Sequence, residues 1–97
     1  MGYRLAPQAR SELIDIWRYI FHESANEEIA DRLIDSIFDR FLLLSQNPYL
    51  GRSREELRPG LRSFPVGEYV IMYRVSGADV LILHIRHGRR DIQSWFT

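Results

Sequence analysis

Residues 61–91, LRSFPVGEYVIMYRVSGADVLILHIRHGRRD, restrict the fold of this chain more than any other stretch. Three apolar segments, residues 61–64, 69–75 and 80–87, are rich in β-branched and aromatic side chains. Only Pro65-Val66-Gly67-Glu68 and Ser76-Gly77-Ala78-Asp79 separate them. Connections that short leave no room for a crossover, so the three pair as an antiparallel meander. A sheet of this kind needs a cover on one face, and the preceding residues supply it.

Tyr3, Arg4 and Leu5 alternate and stop at Pro7, which reads as an opening edge strand. From Pro7 the period becomes helical. Proline suits the first helical position, and Ala9, Leu13, Ile16, Trp17 and Ile20 recur at helical spacing. Ala6 is a poor N-cap, so that end is expected to fray. Ser24-Ala25-Asn26-Glu27 has the spacing of a capping box. A second helix follows to about Gln46, with Ile29, Leu33, Ile37, Phe41 and Leu44 as its apolar stripe and Asp31, Asp35 and Asp39 on a solvated ridge. The short link makes the two helices an antiparallel hairpin, with Trp17, Phe38 and Phe41 assigned to the core. Asn47-Pro48 and Gly51 end the second helix. Residues 52–60 read as a mixed-charge loop with too little apolar content to pack, and residues 90–96 could form a short closing helix. The expectation is one α+β domain over residues 1–97, in the order β-α-α-β-β-β.

The chain is 45% hydrophobic and 27% charged, the balance of a folded domain with a single modest core. Without cysteine there is no disulfide framework and no thiolate metal site. No run of apolar residues is long enough to span a bilayer, so a cytoplasmic protein is expected. The formal charge is zero but unevenly placed: residues 1–50 hold five arginines against eight acids, and residues 51–97 hold eight against five. All 13 basic residues are arginine. The guanidinium fork matches phosphate and carboxylate but is too basic to accept a proton readily. A genome biased toward arginine would produce the same replacement of lysine.

Side chains alternate along a strand, so Leu81, Leu83 and Ile85 share one face while Val80, Ile82, His84 and Arg86 share the other. The wholly apolar set is expected beneath the helices. Arg74, His84 and Arg86 are then expected together on the uncovered face, at one end of the sheet, beside exposed Val70 and Met72. Arg62, His87, Arg89 and Arg90 lie close in sequence to that rim. An anion-binding surface, for phosphate or for the carboxylates of an acidic partner, is one account of the cluster. Local pairing with Glu68, Asp79 and Asp91 is the other, and both stand at this point. His84 has no companion at metal-ligand spacing, so neither metal nor cofactor is expected.

The order of these elements, together with Pro48-Tyr49-Leu50-Gly51-Arg52, Gly60-Leu61-Arg62, Gly67-Glu68-Tyr69-Val70-Ile71-Met72-Tyr73-Arg74 and Ile85-Arg86-His87-Gly88-Arg89-Arg90-Asp91, resembles the RelE/ParE toxin superfamily, most closely its ParE branch. The resemblance covers nearly the whole chain. It implies the toxin half of a type II toxin–antitoxin pair, neutralised in a hetero-oligomer by a cognate antitoxin whose C-terminal segment wraps it. ParE toxins of this family inhibit DNA gyrase and block replication, and on that reading the chain is not an enzyme.

The RelE branch instead cleaves mRNA in the ribosome. That chemistry needs a base for the 2′-hydroxyl, cations for the phosphorane and an acid for the leaving oxygen. RelE-like nucleases commonly carry an arginine after the tyrosine of the third strand, lysines in the preceding loop and a late tyrosine or histidine. Here Val70 follows Tyr69, lysine is absent, and the tail offers Trp95 and Phe96. His87 and Arg89 remain as substitutes, which keeps the nuclease alternative open, as does a non-toxic binding module of the same fold. On the gyrase reading the arginine-rich rim and the C-terminal segment are expected to bind the target, through Arg62, Arg74, His84, Arg86, His87, Arg89 and Arg90. The antitoxin is expected along the helical hairpin and the sheet, touching Trp17, Phe21, Met72, Arg74 and Arg86, and adding a strand to an exposed edge. No membrane and no small-molecule ligand is expected.

Overall fold

A computed structural model of the chain describes residues 2–89; Arg90 and the closing helix expected over residues 90–96 lie outside them. The elements are β1 (Tyr3–Leu5), α1 (Pro7–Ser24), α2 (Glu27–Gln46), β2 (Arg52–Ser53), β3 (Arg62–Val66), β4 (Tyr69–Ser76) and β5 (Asp79–His87). They form a helical hairpin on a five-stranded sheet ordered β1-β5-β4-β3-β2. The expected meander is present, and β1 closes the sheet by pairing parallel to β5 through Val80, Leu81 and Ile82. Among the described residues no helix is long and apolar enough to cross a membrane.

Local chemistry sets the boundaries. Pro7 occupies the first turn of α1, and Ala6 provides no side-chain cap. The start is nonetheless tethered rather than frayed, because the Ala6 N–H donates to Ile82 O at 2.9 Å. Ala25, at φ 52°, turns the chain between the helices. The cap of α2 is Asn26, whose Oδ1 accepts from the N–H groups of Glu28 (2.9 Å) and Ile29 (3.3 Å). The capping box expected from Ser24 does not form; the cap lies two residues later and is one-sided, since Ile29 stands where a box needs Glu or Gln. Ser24 still belongs to α1, where its hydroxyl bonds Ile20 O at 2.7 Å, and asparagine is at least as good a cap. Both hairpin turns place a glycine, Gly67 or Gly77, at positive φ in a two-residue link, as such turns require. Pro65 sits within β3 rather than in the turn, past the last residue that β2 reaches, where β3 is itself the edge.

The core joins Ala9, Leu13 and Ile16 of α1 and Ile37, Phe41 and Leu44 of α2 to Val66, Tyr69, Ile71, Tyr73, Val80, Ile82 and Ile85 of the sheet. The α2 stripe is rotated slightly from its expected position: Ala30 is buried, while Ile29 and Phe38 are exposed. A bulge revises the faces of β5. Met72 pairs with His84 but Tyr73 pairs with Ile82, so Leu83 is an extra residue and the alternation resets there. Val80 and Ile82 therefore face the helices, contrary to expectation, and Leu81 shares the opposite face with Arg74. Ile85 meets the core as expected, and His84 and Arg86 do lie on the face opposite it. A strand apolar at both parities carries no sign of such a reset.

The opposite face is not bare. Residues 54–60, part of the loop expected to be unpacked, fold across it together with Leu61: Arg54 Nε donates to Ser63 Oγ at 2.8 Å, and Arg54 N to Leu61 O at 2.7 Å. Leu61 is 6% exposed and Met72 2%. Met72, expected at the surface, is thus roofed by a loop in which Leu61 is buried and Leu57 half-buried, while Arg54 and Glu55 hold the loop backbone.

Candidate functional site

The cations on this face have a partner from the far end of the sequence. Glu12 of α1 lies along the edge of β5, beyond the residues that β1 reaches. Its Oε1 accepts from the Ile85 N–H at 3.0 Å and sits 3.3 Å from His84 Nδ1, and its Oε2 accepts from Arg86 Nε at 2.7 Å. With 12% of the Glu12 side chain and 20% of the Arg86 side chain exposed, this half-buried pair is a charge-assisted contact and not a screened surface one. His84 also borders a cavity of about 180 Å³ with Arg58, Gln8, Leu61 and Met72. Glu12 was not among the acids expected to neutralise the cluster; 72 residues separate it from His84.

The remaining candidates separate. Arg74 shares the face but pairs with Leu81, four residues along β4 from the Val70 that faces Arg86, which puts it about 13 Å away. The trio is therefore not gathered at one end of the sheet. Arg74 is exposed and has no ion-pair partner among the described residues. His87 lies on the helix side of the sheet, edge-on to Tyr69 and 3.7 Å from Glu68. Its Nδ1 accepts from the Arg89 N–H at 3.2 Å, and Arg89 is exposed.

Arg62 turns inward. Its Nη1 donates to Gly51 O (2.7 Å) and Tyr49 O (3.2 Å), and its guanidinium lies 5.0 Å over the Tyr49 ring. Beside it the Tyr73 hydroxyl donates to Pro48 O at 2.9 Å and accepts from Gly51 N at 2.8 Å. Burial pushes the Tyr73 phenol above its usual range, outweighing the opposite pull of the Gly51 N–H and of Arg62. The phenol therefore stays protonated and keeps its donor role.

On the helical side, Leu5, Leu13, Ile14, Trp17, Ile34 and Phe38 line an apolar groove of about 400 Å³. Trp17 stacks on Phe21 at 5.2 Å, and its Nε1 donates to Asp31 Oδ1 at 2.8 Å. Phe38 and Trp17, assigned to the core in sequence, are the walls of this groove. Trp17 and Phe21 thus lie on the opposite side of the sheet from Met72, Arg74 and Arg86.

Residues 3–92 match the family model described as the ParE toxin of type II toxin–antitoxin system, parDE. The chain belongs to the ParE toxin family. Toxin ParE3 of Caulobacter vibrioides is 49% identical over 59 residues, 61% of this chain but only 56% of that protein's length. Toxin ParE1 of the same organism is 33% identical over 87 residues, covering 88% of this chain and 86% of the relative. Toxin ParE1 of Mycobacterium tuberculosis is 28% identical over 91 residues, covering 93% and 92%. In fold the chain is similar to the chromosomal ParDE toxin–antitoxin system of P. aeruginosa, with a TM-score of 0.76 at 22% identity over 90% of this chain and 95% of that one. It is also similar to the toxin–antitoxin complex RelBE2 of M. tuberculosis, with a TM-score of 0.59 at 24% identity over 89% and 95%.

For a ParE-family chain, then, the arginine-rich second half is less available than its composition suggests. Sequence reasoning missed Glu12, which no local pattern marks, and the pairing of Tyr73 with Pro48-Tyr49-Leu50-Gly51. The adjacent Tyr49 and Leu50, apolar yet between a helix-breaking proline and a glycine, were the available signal.

Proposed function

We propose that this ParE-family toxin acts by binding DNA gyrase and blocking replication without making or breaking bonds itself, and that a cognate antitoxin neutralises it. The observation that carries this reading is the family match across residues 3–92. The antitoxin is assigned to the groove between the helices and β1, where Trp17 and Phe38 offer an apolar trough suited to the apolar face of a peptide segment. Met72 is too buried to contribute to that contact. On the target side, Arg74 and Arg89 are the exposed cations of the predicted set, and Arg90 belongs to the same proposal. Purified chain should inhibit gyrase supercoiling without cleaving mRNA in a translating extract, and replacing Arg89 and Arg90 with glutamate should abolish growth arrest in a soluble variant.

One observation favours the RelE-like alternative. His84, held by Glu12, opens with Arg58 onto the cavity above Met72, and a carboxylate-oriented histidine beside a cation is a proton-transfer arrangement. Cleavage of mRNA that disappears in His84→Ala, with supercoiling untouched, would establish that reading in place of the first.

A further inference from the structure

Tyr49 is 68% exposed and Leu50 50% exposed. Singly exposed apolar side chains are ordinary on a protein surface, but this pair stands on a turn whose backbone is unusually well held. The carbonyls of Pro48, Tyr49 and Gly51 and the Gly51 N–H are all bonded by Tyr73 or Arg62, and Leu50 N donates to Asn47 O at 3.0 Å. Tyr73 is itself fully buried in the core. Gly51 packs so closely on it that a Cβ would collide with the Tyr73 ring and hydroxyl and lie 2.9 Å from Ser63 O. Two polar groups that are costly to desolvate thus fix a turn whose own large side chains face water. Such rigidity removes the ordering cost that a loop pays when it binds.

We propose that Tyr49 and Leu50 form the anchor by which the chain grips its cellular target, a folded protein offering an apolar pocket bordered by carboxylates. This rests on the reading that the toxin acts by holding a protein. The charge around the turn fixes the border: between Arg40 and Glu55 the charged residues are Arg52 and Arg54 alone, and Arg62 adds a third cation. The shape fixes the kind of partner. A projecting aromatic and aliphatic pair fits a pocket on a folded surface, as aromatic anchors at interfaces do, whereas a flexible antitoxin segment fits the groove between the helices and β1. Nucleic acid is the poorer match, because Arg62 already covers one face of the Tyr49 ring and leucine offers nothing for a base to stack on.

The test compares the parent chain, the double variant Tyr49→Ser/Leu50→Ser, and Tyr73→Phe, using purified gyrase, the cognate antitoxin and single-stranded DNA as probes. The double variant should keep its circular dichroism spectrum and bind antitoxin within about twofold of the parent, while its inhibition of supercoiling falls by about tenfold or more. Tyr73→Phe, which loosens the turn without touching the anchor, should fall between the two. Inhibition retained by the double variant overturns the proposal, as does a loss confined to antitoxin or to DNA binding, and unchanged inhibition by Tyr73→Phe overturns the role of the rigid turn. Should the parent itself leave gyrase active, the gyrase reading has failed separately and growth arrest becomes the readout. Arrest lost in the double variant then supports the anchor against another protein target, and arrest retained overturns it.

Discussion

The β5 edge and the turn after α2 use polar groups in opposite ways. At the edge, one carboxylate gathers His84, Arg86 and the Ile85 N–H, and side chains that look available in sequence are half-buried and partnered. At the turn, Tyr73 and Arg62 spend their polarity on backbone groups, and apolar side chains are left facing water. The first site consumes charge; the second displays hydrophobic surface. Availability to a partner is thus decided by what lies across the fold, and residue type alone is a poor guide to it.

The comparison breaks most readily at Glu12. In Glu12→Ala three donors lose their acceptor at a half-buried site, and the loss in urea unfolding should be about 2–3 kcal/mol. Glu12→Gln keeps an oxygen for the Ile85 N–H and should lose less. If Glu12→Ala costs under about 0.5 kcal/mol, the level of an exposed ion pair, the edge cluster is no sink for charge. At the turn, Gly51→Ala forces a methyl against Tyr73 and Ser63 O, and a thermal melt should show about 2 kcal/mol of destabilisation, as overpacking usually does. A neutral result would mean that the turn yields, and that its side chains are not held in place.

The helical hairpin and the meander were legible because the period of the apolar residues changes from helical to alternating at the right points, and because links such as Ser76-Gly77-Ala78-Asp79 permit only one pairing. The faces of β5 were legible only in part. Val80, Leu81, Ile82 and Leu83 are all apolar, so the bulge at Leu83 leaves no trace in their pattern. The site was harder still. That Arg74, His84 and Arg86 share a face follows from parity, but the capture of two of them by Glu12 depends on how α1 is laid beside β5. The roof over Met72 likewise depends on Leu61 at the end of a charge-rich loop. The failures at the site concern contacts between segments that are not neighbours in sequence.

A smaller effect should come from Tyr73→Phe, which removes one bond to Pro48 O and one from Gly51 N, about 1–1.5 kcal/mol in denaturant. The ionisation of Tyr73 gives the same bonds a pH signature. Its pKa is raised in the folded chain, chiefly by burial, so the native state holds the proton where the unfolded state releases it. Stability from this group is complete below about pH 10, the unfolded value, and declines as pH rises from there toward the folded pKa. The parent should therefore lose more stability between about pH 9 and 11 than Tyr73→Phe does; parallel curves would separate the phenol from the stability of the turn.

Arg74 gives the smallest effect on the fold and the finest test of the contrast. It is exposed, and no carboxylate among the described residues pairs with it, so Arg74→Glu should change stability by less than about 0.5 kcal/mol. Its influence on target binding should be that of a peripheral charge, which steers encounter and is screened by salt. On the gyrase proposal, inhibition of supercoiling should weaken about two- to fivefold in dilute buffer. That difference should close near about 0.5 M salt, where the screening length is shorter than the reach of a side chain. The Tyr49 and Leu50 substitutions should behave oppositely, because apolar contact persists when charge is screened. An Arg74 effect that survives salt would place this cation inside the contact and make the open face of the sheet a second anchor.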